Sequence, residues 1–128
     1  MPADQPRVVL IVEDVDACSS VLEIALTPLA GLSVRNVRTA EAAVEVLNAE
    51  RPCAIIADLH LPRMSGFELI ETIRGRPELA RLPVVVVSGD TDPRTPQRVM
   101  ALGANAYFAK PYSPFELRNK LEQLLDAD

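Results

Sequence analysis

Short apolar runs alternate along the chain with segments whose apolar positions recur every three or four residues. Five runs have strand character: RVVLIV (7–12), LSVRNV (32–37), CAIIA (53–57), PVVVVS (83–88) and AYFA (106–109). Three of them are almost continuously apolar, the pattern of strands covered on both faces. Five segments have helical spacing. In the first, Cys18, Val21, Leu22, Ala25 and Leu29 share one helical face. In the second, Thr39 caps a stretch whose apolar side is Ala40, Ala43, Val44 and Leu47. Ser65 and Glu68 form a capping box that opens a third helix, through Phe67, Ile70 and either Ile73 or Arg74 to Gly75. A fourth starts at Thr95 with Pro96 in the first helical position and carries Val99, Met100 and Leu102 to Gly103. Ser113, Pro114 and Glu116 open the fifth with a second capping box, ahead of Leu117, Leu121, Leu124 and Leu125. Strand and helix in strict alternation predict an α/β fold, a doubly wound parallel sheet with helices on both faces.

Composition narrows this pattern to one ordinary globular unit. The chain has 128 residues, 48% hydrophobic and 24% charged, enough for a single core. No stretch approaches the length of an apolar membrane span, and MPADQPR at the start lacks the basic-then-apolar pattern of a signal peptide. The cytoplasm is the expected address, with no membrane partner. Cys18 and Cys53 have no companion at metal-ligand or redox spacing and read as small buried hydrophobes. A net charge of −5 without a basic stripe, and few aromatics, argue against direct nucleic-acid binding.

In such a sheet ligands bind at the carboxyl ends of the strands. The first strand ends on Glu13 and Asp14, the third on Asp58, the fourth on Ser88, and the fifth on Lys110 followed by Pro111. The second delivers only Asn36 to Arg38, nothing comparable. Three carboxylates at one partly buried edge repel one another, and Lys110 alone leaves a deficit of positive charge. A hard divalent cation would fill it, and oxygen-only ligands favour Mg²⁺. A cation, an ammonium and a hydroxyl suit the spread charge of a transferring phosphoryl group, with Asp58 as the nucleophile that forms an acyl phosphate.

The chain resembles the response-regulator receiver domains of two-component signalling over about residues 7–126, with 1–6 as a short tail. The carriers are LIVEDVD with Glu13 and Asp14, IIADLHLPRMSG with Asp58, VVVVSGD with Ser88, and AYFAKP with Tyr107 and Lys110. The resemblance implies a flavodoxin-like sheet of order 2-1-3-4-5 with five helices. It implies Mg²⁺ or Mn²⁺ touched by Asp14, Asp58 and the backbone carbonyl of His60, with Glu13 acting through water. Lys110 would pair with the phosphoryl oxygens or with Asp58. Ser88 would swing in to bond the phosphoryl group, and Tyr107 would follow into the vacated space. That change would alter the face made by the fourth helix, fifth strand and fifth helix. The donor would be a sensor histidine kinase or a histidine phosphotransfer protein, the recipient of the signal a downstream target protein, and a weak homodimer is allowed. The chain would catalyse only its own phosphorylation and dephosphorylation, as a stand-alone regulator or as part of a longer one. Glu13 stands where the family often has aspartate. His60 and Asp90, two residues after Asp58 and Ser88, flank the expected path of the hydrolytic water and should affect phosphate lifetime in a direction the sequence leaves open. Pro62 and Gly66 shape the loop toward Ser65.

Taken singly these residues have ordinary explanations. Asp58 could cap a turn, Ser88 could be a turn hydroxyl, Tyr107 a half-buried core aromatic, Lys110 a solvated charge and His60 an exposed loop residue. Only their joint placement promotes them. DVDAC (14–18) also resembles the nucleophile motif of haloacid-dehalogenase-type aspartyl-phosphate hydrolases, but the acidic metal ligands those enzymes carry late in the chain are replaced here by Lys110 and Pro111. A receiver-shaped module that works without phosphate is the third alternative, opposed by the intact set of Glu13, Asp14, Asp58, Ser88 and Lys110.

Overall fold

The computed structural model describes residues 7–29 and 31–126; the tail 1–6 lies outside the described residues. Alternation of side chains on β1 (Arg7–Val12) decides how the layers form, because Leu10 and Val12 enter one apolar cluster and Val9 and Ile11 the other. β1 lies between β2 (Leu32–Val37) and β3 (Ala54–Asp58), and β4 (Val84–Ser88) and β5 (Ala106–Ala109) extend the sheet. The order is β2-β1-β3-β4-β5, with every pairing parallel, as expected. β3 and β4 are buried at every position, whereas the edge strand β2 alternates between half-buried and exposed. β3 and β4 each begin one residue later than the apolar runs suggest. At 83 a proline has no N–H to give to the ladder.

Helices α2 (Ala40–Ala49), α3 (Gly66–Arg74) and α4 (Thr95–Leu102) contribute to the cluster containing Leu10, and α1 (Asp16–Leu26) and α5 (Pro114–Asp126) to the one containing Ile11. A single 3₁₀ turn, Pro77–Leu79, follows α3. None of the described helices is long and apolar enough to cross a membrane.

The helix starts are largely those the sequence predicts. Thr39 accepts from Ala42 N at 3.0 Å, and the box at α3 is complete, with Ser65 N donating to Glu68 Oε1 at 3.0 Å and Glu68 N to Ser65 Oγ at 3.2 Å. The box at α5 is half made: Glu116 N reaches Ser113 Oγ at 3.3 Å without a return bond among the described residues. In α4, Thr95 is itself the first helical residue and is buried, which moves Pro96 to the second position. Gly103 closes α4 with φ +117°, a conformation that favours glycine.

Two buried faces differ from expectation. In α2 the stripe is Ala40, Ala43, Val46 and Leu47, with Val44 at its margin. In α1 it is Ser19, Leu22, Ala25 and Leu26; Val21 is 44% and Ile24 72% exposed, and Leu29 packs from beyond the helix end. α1 shares one side of the sheet with α5, so it needs only a narrow stripe and has more apolar residues than that stripe can hold. The surplus, with Phe115, lines a surface groove of about 290 Å³ between the two helices.

Arg74 fastens the far end of α4. Its Nε donates to Gly103 O at 3.0 Å, Nη1 to Leu79 O at 3.1 Å and Ala80 O at 3.2 Å, and Nη2 to Asn105 Oδ1 at 3.0 Å. Asn105 Oδ1 also accepts from Val84 N at 2.8 Å, so this staple fixes the start of β4 as well.

Candidate functional site

Parallel strands deliver their last residues to one edge, and four of the five deliver chemistry there. Glu13 follows β1 with its N–H on Val37 O at 3.0 Å, and it is only 1% exposed. Asp58 ends β3 and is buried. Lys110, directly after β5, is placed by its own N–H on Ser88 O at 2.8 Å. Its Nζ donates to Glu13 Oε1 and to Asp58 Oδ2, both at 2.9 Å. One ammonium thus serves two buried carboxylates.

Their remaining oxygens are held by backbone. Val15 N donates to Glu13 Oε2 at 3.2 Å and His60 N to Asp58 Oδ1 at 3.1 Å. Burial pushes the Glu13 carboxyl above its ordinary value, against the lowering effect of Lys110, and the nearby Asp58 charge pushes the same way as burial. Burial by itself would lower the Lys110 ammonium, but the hydrogen bonds and charges of Asp58 and Glu13 outweigh it and raise the group well above its usual value.

Ser88 is fully buried, and its Oγ accepts from Asp90 N at 3.0 Å. The half-buried Tyr107 lies opposite Val86 on β4, and burial raises its phenol while hydrogen bonding to Ser88 opposes the rise. His60 and Asp90 meet, Nε2 to Oδ2, at 3.2 Å, joining the loop after β3 to the loop after β4. The N–H of Asp92 holds the Asp90 carboxyl below its ordinary value, helped by His60.

Glu13, Asp58 and Lys110 are therefore in direct contact, Ser88 and Tyr107 adjoin on the next two strands, and His60 and Asp90 bridge two loops. Asp14 is half-buried, and its carboxylate has no hydrogen bond among the described residues. Among those residues no three His, Cys, Asp or Glu side chains converge as a ready-made metal cluster. The donor chemistry still suits a hard cation held through few protein oxygens and completed by water. Asp14 offers a carboxylate without hydrogen bonds among the described residues, whereas Asp58 (Lys110 and the His60 N–H) and Glu13 (Lys110 and the Val15 N–H) each have both oxygens engaged and only a second lone pair on each oxygen left to give.

Three features escaped the sequence reading. Arg38, passed over at the end of β2, donates through Nη2 to Asp14 O at 2.8 Å and pairs through Nη1 with the Asp16 carboxylate. A lone arginine directly after the strand beside the acidic pair was the available signal. Cys18 is half-buried rather than buried, with Sγ 3.7 Å from Lys110 Nζ, and it lines a cavity of about 410 Å³ with Val21, Lys110, Pro111 and Tyr112. Cys53, also half-buried, lies at the opposite end of the sheet beside Arg7 and Arg51. Gly66 packs against the end of β3 itself: its N–H donates to Leu59 O at 2.9 Å, and a Cβ would lie 2.4 Å from Asp58 O and 2.6 Å from Leu59 Cα.

A doubly wound sheet with its charged and hydroxyl side chains gathered on one carboxyl edge defines an α/β module that handles a small charged group there. Residues 9–122 match the family model described as the response regulator receiver domain, and the chain belongs to that family. It is 34% identical over 116 residues to the transcriptional regulatory protein KdpE of Staphylococcus aureus, covering 88% of this chain and 47% of that protein. The chain spans about half the length, or less, of the curated relatives it matches. Among solved structures it is similar to chemotaxis response regulator CheY4 of Vibrio cholerae, at TM-score 0.83 and 26% identity over 94% of this chain and 99% of that one. The Mn²⁺-bound form of response regulator Rcp1 superposes at TM-score 0.80 with 29% identity, over 92% of this chain and 93% of that one.

Proposed function

We propose that residues 7–126 form a receiver unit in which Asp58 takes a phosphoryl group from a phosphohistidine of a sensor histidine kinase or histidine phosphotransfer protein. The observation that carries this reading is Lys110 Nζ at 2.9 Å from both Asp58 and Glu13. An Asp58 oxygen attacks phosphorus, the P–N bond breaks, and the electron pair leaves with the donor imidazole, giving an acyl phosphate. Lys110 stands where charge accumulates on the phosphoryl oxygens, in a partly dry setting that strengthens its effect. Mg²⁺ or Mn²⁺, held by Asp14, Asp58 and the His60 carbonyl, with Glu13 reached through water, would supply the missing positive charge; the Mn²⁺-bound form of the similar Rcp1 supports a divalent cation as the ion. The new phosphate adds roughly two negative charges and three acceptor oxygens, to which Ser88, buried at the end of the neighbouring strand β4, would donate, with Tyr107 following. The signal then leaves through the face of α4, β5 and α5 to a target protein. The chain acts on itself alone, and the cytoplasm, where kinases draw on ATP, is its proposed location.

Transfer from a panel of phosphorylated kinases tests the reading. Wild type is expected to take up label and Asp58→Asn to take up none; label that survives the substitution overturns the assignment. Label on Asp14 with turnover of a small phosphoester would favour the hydrolase alternative. No spectral response to Mg²⁺ with beryllofluoride would favour the phosphate-independent module.

The contact between His60 and Asp90 lends a direction to the lifetime question. It links the loop that follows Asp58 to the loop that follows Ser88, and a closed pair there would narrow the approach of water. His60→Ala and Asp90→Ala should each shorten the acyl-phosphate half-life, by about threefold to tenfold on the scale of one lost hydrogen bond. Decay of isolated labelled protein measures this, and a longer half-life in both variants contradicts it.

A further inference from the structure

We propose that Arg38 is a positioning residue for the divalent-cation site, holding the backbone of the loop that carries Asp14. The proposal rests on the phosphoacceptor reading above. The loop needs such a support because α1 begins without a side-chain cap: Val15 occupies the cap position and its side chain has no oxygen to offer. Two contacts replace it. Glu13 Oε2 takes the Val15 N–H, and Arg38, reaching across from the end of β2, grips the Asp14 carbonyl at 2.8 Å. The second guanidinium nitrogen pairs with Asp16, the first residue of α1, so one side chain ties the loop and the helix start to the neighbouring strand. Asp14 has no side-chain hydrogen bond of its own among the described residues, so the aim of its carboxylate follows from where its backbone is held.

Arg38 also brings a positive charge toward a site for a cation, and the two effects oppose each other. The side chain is 59% exposed and its guanidinium already paired with Asp16, so water, salt and that carboxylate screen its repulsion. The bond to the Asp14 carbonyl is a short-range constraint that salt does not remove. Ordering therefore outweighs repulsion.

Mn²⁺ affinity, read from the electron paramagnetic resonance of the free ion, separates the two in Arg38→Met, which loses charge and donors and would bind more tightly if repulsion prevailed; Arg38→Lys keeps one N–H donor of nearly the same reach. Arg38→Met is expected to bind Mn²⁺ about threefold to tenfold more weakly than wild type, and Arg38→Lys to recover part of the loss. Amide exchange in the metal-free protein should quicken at residues 14–19 in Arg38→Met and less so in Arg38→Lys. Unchanged or tighter Mn²⁺ binding by Arg38→Met, or unchanged exchange in that loop, overturns the positioning role. Asp14→Asn is the reference. Equal affinity of wild type and Asp14→Asn would overturn the phosphoacceptor reading and the positioning role with it. A weakened Asp14→Asn beside an unaffected Arg38→Met overturns the positioning role alone.

Discussion

Replacement of Lys110 by methionine is expected to lower the unfolding free energy at neutral pH by about 3–5 kcal/mol, the cost of stranding buried charge, and to abolish the response to phosphorylation. The side chain keeps its length and loses only the ammonium, so packing changes little. What remains is Glu13, 1% exposed, beside Asp58, whose side chain is 9% exposed, with no cation between them. The loss should shrink as pH falls. Burial holds the folded Glu13 carboxyl above its ordinary value of 4.5, so its contribution is fully present below that value and is lost as pH rises through the raised one. Removing Lys110 removes a lowering influence and moves the window of loss upward. Urea unfolding followed from acid to neutral pH measures this, and a deficit that does not change with pH contradicts it. Adding Glu13→Gln to the same chain should recover much of the stability, since one of the two stranded charges is gone.

Gly66→Ala has an effect whose sign is informative. Helix propensity favours alanine over glycine, at the first helical position by less than the roughly 1 kcal/mol of a helix interior. The structure predicts the reverse, because the new methyl would meet Asp58 O at 2.4 Å and Leu59 Cα at 2.6 Å, backbone atoms that cannot turn aside. A net loss of about 2 kcal/mol is expected from overpacking. The same shift moves Asp58, the proposed acceptor, so the initial rate of phosphoryl uptake should fall along with stability. A variant more stable than wild type in chemical denaturation would show that α3 does not approach the end of β3 this closely.

Much of this was legible in the chain. β3 and β4 could be placed to within a residue because continuous burial leaves a continuous apolar run, and Asp58 and Ser88 interrupt those runs at their ends. The Ser65 box needed only a local pattern. Other features depend on what lies across space. Which face of α1 is buried depends on how much of the sheet α5 takes, so Val21 could not be known to be exposed. The sequence paired Lys110 with Asp58, but not with Glu13, which lies 97 residues away. A long flexible side chain chooses among acceptors by geometry that no spacing records. Arg38 was missed for the same reason: its reach to Asp14 crosses between two neighbouring strands.

The Arg74 staple also sets how α4 can respond to events at its other end. Through Arg74, the Gly103 carbonyl and the Asn105 amide, where α4 ends and β5 begins, are tied to the Leu79 and Ala80 carbonyls ahead of β4, while Thr95 starts the helix beside Asp90 and Asp92. With one end pinned, a displacement of the Ser88–Thr95 segment becomes a tilt about Gly103 rather than a slide along the sheet. The eight residues of α4 make a lever arm of roughly 12 Å. Such a tilt would be greatest next to the carboxyl edge that carries Asp58 and would die away toward the fulcrum, so a partner reading this surface would sense the first turn of α4 far more than its last.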